Sequence, residues 1–544
     1  MLGLMQHQQM LISDLIEHAA RAYADGEIVS RTVEGPVHRC TYADVARRAR
    51  QVANVLRSLG VGAGDRVCTL AWNGYRHLEL FFGVSGTGAV LHTVNPRLFP
   101  EQIEYIISHA GNQYVFFDTS FAPLLAALAP RLTGVKGFIA MTDRAHMPVA
   151  DIPNLLCYEE LLAAASDVYA WPEFDERSAS SLCYTSGTTG NPKGVLYTHR
   201  STILHAITQC TRDGMGVSSS ETLLLATPMF HVNGWGVPYA AALTGPKLVL
   251  PGPALDGASL YALFRDEAVT LTLGVPTIWL MLKDYVDAHG LDPRRDLKLS
   301  RVVIGGSAAP RALAQVIETR FGAQVTHAWG MTETSPLGTV CTPLRKHSGA
   351  TLEQRLDLQQ SQGRAPYGVQ LKITDDDGHD LPHDGATTGH LLIKGHWVTS
   401  AYYGGDGGDI LDAGGWFDTG DIGSIDPDGY LHITDRAKDV IKSGGEWISS
   451  IDLENAALGH PAVVEAAAIG VAHPKWQERP LLIVVRRKGE DLSREQLLTY
   501  LADRVAKWWL PDDIVFVDAL PHTATGKLQK RTLREIYKDY RLPG

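Results

Sequence analysis

Apolar residues recur at helical spacing through residues 41–59, where Val45, Ala49, Val52, Ala53 and Leu56 share one face. Thr41 stands before the stretch as a capping side chain and Gly60 after it as a stop. The following GAGDRVCTLAW reads as a turn and a buried strand. Residues 114–118 and 137–141 are further apolar strands, and residues 101–110 and 121–128 are helical stretches between them. The rhythm returns later, with strands beginning near Lys247, Val269, Ser300 and Ala323 and helices over residues 260–267 and 311–321. Strands alternating with helices predict layered α/β structure with largely parallel sheets. From Gly368 the pattern changes: VQLKITDDDGHDLP and GHLLIKG alternate with turn residues and predict antiparallel strands. A polar, glycine-bearing stretch begins at Asp435, and a compact unit follows it. That unit has helices over residues 450–458 and 493–506 and strands over residues 463–471 and 480–486. The fold class expected is α/β. A large N-terminal domain, residues 1–434, combines layered α/β sheets with a β-rich subdomain, and residues 441–544 form a small α+β domain.

Composition adds exclusions. With 544 residues, 45% hydrophobic and 20% charged, the chain is ordinary globular protein and too long for one core. A net charge of −11 leaves no electrostatic footprint for nucleic acid or anionic lipid, so a bound phosphate needs local donors. The six cysteines form no C-x-x-C pair and fit reduced thiols of a cytoplasmic protein. The N-terminus lacks the pattern of a signal peptide, and RLPG at the C-terminus is no peroxisomal address. The apolar stretch 80–91 is interrupted by Gly83, Ser85, Gly86 and Gly88 and is too short to span a membrane.

Five stretches carry candidate chemistry. YTSGTTGNPKGV, residues 184–195, gathers hydroxyls and glycines before Lys193. It is not a Walker loop, because Lys193 is followed by Gly194 and a strand-like VLYTH. It therefore joins two strands, and its backbone N–H groups and hydroxyls suit a pyrophosphate. WGMTETSP lies at an expected strand end, where α/β sheets place ligands; Glu333 is a hard oxygen ligand there, although a capped helix start reads the same way. GWFDTGDIG offers Asp418 and Asp421 to a ribose, but a Gly-flanked Asp is more often a turn former. PMFHVNGWG sets His231 and Trp235 among apolar residues, where a lone His is more often a core residue. TATGKLQKR puts Lys527 in a loop, usually a solvated charge.

The order of these motifs, more than any one of them, carries a resemblance. YTSGTTGNPKGV, WGMTE, TGD, DRAKD and TGKLQKR follow one another as in the adenylate-forming superfamily of acyl-CoA synthetases, luciferases and peptide-synthetase adenylation domains. SGGEWISSIDLEN and HPKWQERP resemble the bacterial medium- and long-chain fatty acyl-CoA synthetases, a branch that includes 3-methylthiopropionyl-CoA ligases. The resemblance implies that ATP, Mg2+ and coenzyme A are used on a small-molecule carboxylate. Thr185 and Glu333 would hold the metal. Ser186, Gly187, Thr188, Thr189, Gly190 and Lys193 would hold the phosphates. Gly306, His327, Ala328, Trp329 and Thr332 would surround AMP, with Asp421 on the ribose. Residues 435–440, with Arg436 and Lys438, would be the hinge of a mobile C-terminal domain, and Lys442 and Trp447 would meet the nucleotide or pantetheine. Lys527 and His231 would be catalytic. Val232, Trp235 and Gly305 would meet the acyl group, Trp235 matching the indole that gates the tunnel of related long-chain enzymes. Two positions depart from the family: Trp329 where Tyr is common, and His390 where Glu is usual.

The implied reaction is formation of acyl-AMP and pyrophosphate, then displacement of AMP by the thiol of coenzyme A. The resemblance leaves a homodimer open, since related long-chain enzymes dimerise through their N-terminal segment. Three alternatives are weighed. A peptide-synthetase adenylation domain normally carries an acid for the α-amino group and precedes a carrier domain, whereas this chain is expected to stand alone. A luciferase-like oxygenase shares the fold, and a light or peroxide assay excludes it. A non-catalytic nucleotide sensor would not need Lys527, the hinge and the phosphate loop together.

Overall fold

The computed structural model describes residues 1–544 except Leu2, residues 186–190, Gly445, residues 523–527, Gly544 and the side chain of Glu446. Helix Tyr42–Ser58 begins at Thr41, whose hydroxyl accepts from Asp44 N at 3.2 Å while the Asp44 carboxylate accepts from Thr41 N at 3.1 Å. Both otherwise orphaned donors of the first turn are thereby satisfied. Val45, Ala49, Val52 and Leu56 are buried, as their spacing predicts.

The helix packs on helices Ile12–Ala22 and Tyr75–Ser85. A seven-stranded sheet runs in the order Leu155–Cys157, Gly137–Ala140, Asn112–Phe117, Arg66–Leu70, Val90–Thr93, Ala179–Tyr184, Gly194–Thr198. All neighbours are parallel except the last pair, which is antiparallel. The phosphate-loop motif therefore does join two strands, and Thr185 N donates to Lys193 O at 2.9 Å at its base. A second, thirteen-stranded sheet has a parallel block, from Glu27–Arg31 through Lys247–Leu250, Thr222–Leu225, Leu271–Gly274 and Arg301–Ile304 to Gln324–Gly330. Its antiparallel part starts earlier than the sequence pattern indicates. Leu337–Val340 and Gly363–Arg364 already run antiparallel, but strands of four and two residues show too little alternation to be read.

Strand Tyr430–Arg436 closes that sheet, and Ile441–Ser443 opens a third, five-stranded one with its own core of Ile448, Leu453, Leu482, Val484 and Leu497. The helix expected over residues 493–506 is shorter, Arg494–Ala502. The one expected over residues 311–321 widens after Val316 and stops at Gly322, where φ is 73°. The interrupted apolar stretch is a core element: helix Tyr75–Ser85 is buried throughout most of its length. No helix among the described residues is long and apolar enough to cross a membrane.

The core holds several imidazoles without charge. Burial pushes His205 down to about 3, His92 to about 3, and His77 and His199 to about 4. A histidine whose folded pKa lies below its unfolded value of about 6.5 contributes stability that is complete above that value. The contribution is lost as pH falls toward the folded value. His205→Gln should therefore remove about 1.4 kcal/mol of wild-type acid sensitivity per pH unit below 6.5. Urea unfolding of both proteins at pH 7.5 and 5.5 measures this; an unchanged difference between them would show that His205 titrates in the folded protein as it does in the unfolded chain.

Candidate active site

The carboxyl ends of the parallel strands Arg301–Ile304 and Gln324–Gly330 open onto a cavity of about 450 Å³ beside the hairpin of Ala179–Tyr184 and Gly194–Thr198. Thr185, Lys193, Thr332 and Glu333 give its lining a polar part. His231, Val232, Trp235, Gly305 and Met215 give it a mostly apolar part. Gly306, Ala328 and Trp329 belong to the same lining, as do Arg436 and Lys438 of the segment joining the second and third sheets. Residues distant in sequence thus line one cavity. Ser186, Gly187, Thr188, Thr189, Gly190 and Lys527 lie outside the described residues.

Four predicted residues do not line the cavity. Asp421 sits just behind it, its carboxylate accepting from the Trp329 indole N–H at 3.0 Å and pairing with Arg436 at 3.2 Å. His327 is buried, with Nδ1 at 2.9 Å from Ser361 O and 3.1 Å from Gln359 O, so its side chain serves the strand's packing. Lys442 is exposed. Trp447 is edge-on to His390, with ring centroids 6.3 Å apart, and the His390 ring also meets Asp376 at 2.9 Å. The imidazole in place of the family's Glu thus contacts the third sheet.

The apolar part is built on an unusual backbone. Val232, Asn233, Gly234, Trp235 and Gly236 all have positive φ, from 46° to 75°. Left-handed conformation costs a non-glycine residue roughly 1–2 kcal/mol, so the turn must be held by its surroundings. Asn233 does much of this. It is buried, and its amide donates to Ser181 Oγ at 2.8 Å while its carbonyl accepts from Thr93 Oγ1 at 3.3 Å and Cys183 Sγ at 3.4 Å. Gln209 donates to Trp235 O at 2.5 Å. The turn lays the Trp235 indole on the glycine pair. A Cβ at Gly305 would stand 3.1 Å from the ring and 2.9 Å from Ala328 O, so glycine is required there.

The polar part contains a residue that motif reading misses. Tyr402 donates its hydroxyl to Glu333 Oε1 at 2.7 Å, and the Lys193 ammonium lies 4.8 Å from the centre of its ring. The segment carrying Glu333 is pinned on both sides, by Thr399 N on Glu333 O at 2.8 Å and by Tyr197 OH on Thr332 O at 2.6 Å. Glu333 is buried, and among the described residues no Lys, Arg or His pairs with it. A buried carboxylate without a countercharge is costly, and a hard oxygen donor lining a cavity with the Thr185 hydroxyl fits a magnesium ion. In sequence, the signal for Tyr402 is only the first of two tyrosines before a glycine pair; its pairing with Glu333 spans 69 residues and needs the fold.

Loss of the partner that orients a metal ligand typically weakens metal affinity about 10–100-fold. Tyr402→Phe should do so for Mn2+ titrated with ATP and read by electron paramagnetic resonance, with the melting temperature little changed. Unaltered Mn2+ affinity would mean that the phenol only packs.

Comparison with known proteins gives consistent matches. The family model described as AMP-binding enzyme matches residues 16–403, and the model described as AMP-binding enzyme C-terminal domain matches residues 452–527. The chain is 51% identical over 540 residues to a 3-methylmercaptopropionyl-CoA ligase of Ruegeria lacuscaerulensis, covering 99% of each. It is 49% identical over 539 residues to a medium-chain-fatty-acid–CoA ligase of Ectopseudomonas oleovorans, covering 99% of this chain and 98% of the relative. Among solved structures, an anthranilate CoA ligase in complex with anthranoyl-AMP superposes with a TM-score of 0.85 at 25% identity, covering 98% of each chain.

Proposed function

This chain belongs to the AMP-binding enzyme family, and from that membership we propose that it is an ATP-dependent carboxylate–CoA ligase acting on a medium- or long-chain fatty acid. The observation that carries the reading is one cavity lined by two chemically distinct sets of groups: polar Thr185, Lys193 and Glu333, and apolar Val232, Trp235 and Met215. A triphosphate fits the first and an uncharged tail the second. The acid's carboxylate oxygen attacks the α-phosphorus, and the bond to pyrophosphate breaks. The thiolate of coenzyme A then attacks the acyl carbonyl, and AMP leaves.

Both attacks build negative charge, so fixed cations and oriented donors supply the catalysis. Thr185 and Glu333 would hold Mg2+, which offsets phosphate charge when bound. Lys193 and the loop before it would hold the phosphates, Gly306, Ala328, Trp329 and Thr332 the adenylate, and Asp421 the ribose. His231 would border the reacting carboxylate. Lys527 would serve acyl-AMP formation alone, and the C-terminal domain would turn about residues 435–440 to bring Lys442 and Trp447 toward coenzyme A. Six unpaired cysteines support a cytoplasmic location.

A second reading, a short acid such as 3-(methylthio)propionate, is favoured by the position of Trp235. Its indole lies against Gly305 and Gly306 and shortens the apolar part.

Two experiments test this. Losing a fixed cation at developing charge typically costs about 10²–10³-fold in rate. Lys527→Ala should lose that much in acyl-AMP formation yet convert synthetic acyl-AMP and coenzyme A to thioester at nearly the wild-type rate. Lys438→Pro, which stiffens the pivot, should do the reverse. Equal loss of both half-reactions in both variants would refute domain alternation. The acyl group is read from a series of acids between propionate and palmitate, scored by CoA-dependent AMP release. Trp235→Ala should move the preferred length upward by several carbons and leave the KM for ATP within about threefold, since the indole closes the acyl end; a uniform loss across the series would make it a packing residue only.

A further inference from the structure

Trp329 is one of the two positions that the resemblance marks as unusual, and the structure gives the indole a task. Its ring lies on Gly338 of the neighbouring strand Leu337–Val340: a Cβ at Gly338 would stand 2.3 Å from it. That contact sets where the indole N–H points. It donates to Asp421 Oδ2 at 3.0 Å, while the other carboxylate oxygen pairs with Arg436 at 3.2 Å. Asp421 is buried, and its own N–H donates to Thr419 Oγ1 at 3.1 Å. The carboxylate is thus held from two directions by groups at right positions to stop its rotation, one on the strand Gln324–Gly330 and one at the end of Tyr430–Arg436.

We infer that Trp329 is a positioning residue for the nucleotide ribose, acting through Asp421, and that its N–H sets how strictly the enzyme demands the ribose hydroxyls. This rests on the assignment of Asp421 to the ribose made above. A carboxylate has about four lone-pair sites, so it can accept from the indole and from Arg436 and still accept from a hydroxyl. What the indole adds is preorganisation: Asp421 need not be immobilised when the nucleotide arrives, and a ligand lacking a hydroxyl loses the full benefit of a fixed acceptor. A phenylalanine keeps an aromatic face for adenine and removes only the donor. Gly338 belongs to the same device, since any side chain there displaces the indole.

The test compares ATP with 2′-deoxyATP and 3′-deoxyATP in acyl-AMP formation and in equilibrium binding. Trp329→Phe should raise the KM for ATP several-fold and reduce the preference for ATP over each deoxynucleotide by at least about threefold. The KM for the acid and the melting temperature should be nearly unchanged. Gly338→Ala, which leaves the indole chemistry intact but moves the ring, should reduce the same preference and keeps the test open if Trp329→Phe folds poorly. An unaltered preference in either folded variant overturns the inference. Asp421→Asn separates the two levels. If it abolishes the preference while Trp329→Phe retains it, only the role of Trp329 falls. If Asp421→Asn also retains it, the ribose assignment itself is wrong.

Discussion

The packing of one indole against two glycines is the contact on which the site's architecture depends. Trp235 lies on Gly305 and Gly306 at the end of a strand of the second sheet, while Asn233, two residues earlier, is bonded into the first sheet through Ser181, Thr93 and Cys183. A right-handed turn could not point both side chains this way from so short a segment. The left-handed backbone from Val232 to Gly236 is the geometric solution, and its strain is offset by those buried hydrogen bonds. The cavity lies where the two sheets are joined, so the same contact that locks them also shapes the acyl end.

The two acids of the polar side are treated alike. Glu333 receives the hydroxyl of Tyr402 and Asp421 the indole N–H of Trp329. Each donor is neutral and aromatic, so it orients its carboxylate without cancelling the charge that a metal or a ribose would engage. Arginine or lysine in the same places would bind the carboxylates more strongly and compete with the ligand. Arg436 is the exception at Asp421, and it comes from the segment linking the second and third sheets, so the ribose acceptor and that segment share one contact.

The unit built on the third sheet is tied to the large sheet by buried polar groups. Asp435, at the end of the large sheet, accepts from Ser450 N at 2.7 Å, and Ser449 Oγ donates to Thr434 O at 2.5 Å. Behind Ser450, within the same unit, Lys530 is buried against Glu454 at 2.7 Å and also donates to Ser450. Burial pushes Glu454 up to about 7 even with Lys530 beside it. Such bonds are directional and can be exchanged as a unit, whereas a continuous apolar interface would resist separation.

The layers, the order of the motifs and the strand end at WGMTETSP were legible in the amino acids, because these depend on local periodicity and on glycines and hydroxyls at fixed offsets. The sequence also exposed Trp329 and His390 as departures, without their consequences. Only the tertiary structure decided what those side chains touch: that Trp329 faces Asp421 rather than merely flanking it, that His390 meets Trp447, that Tyr402 completes Glu333, and that His327 and Lys442 stand away from the cavity. The physical reason is range. A helix face or a capped turn is set within a few residues, but a buried carboxylate is satisfied by whatever donor the fold delivers, here from 69 and 92 residues away.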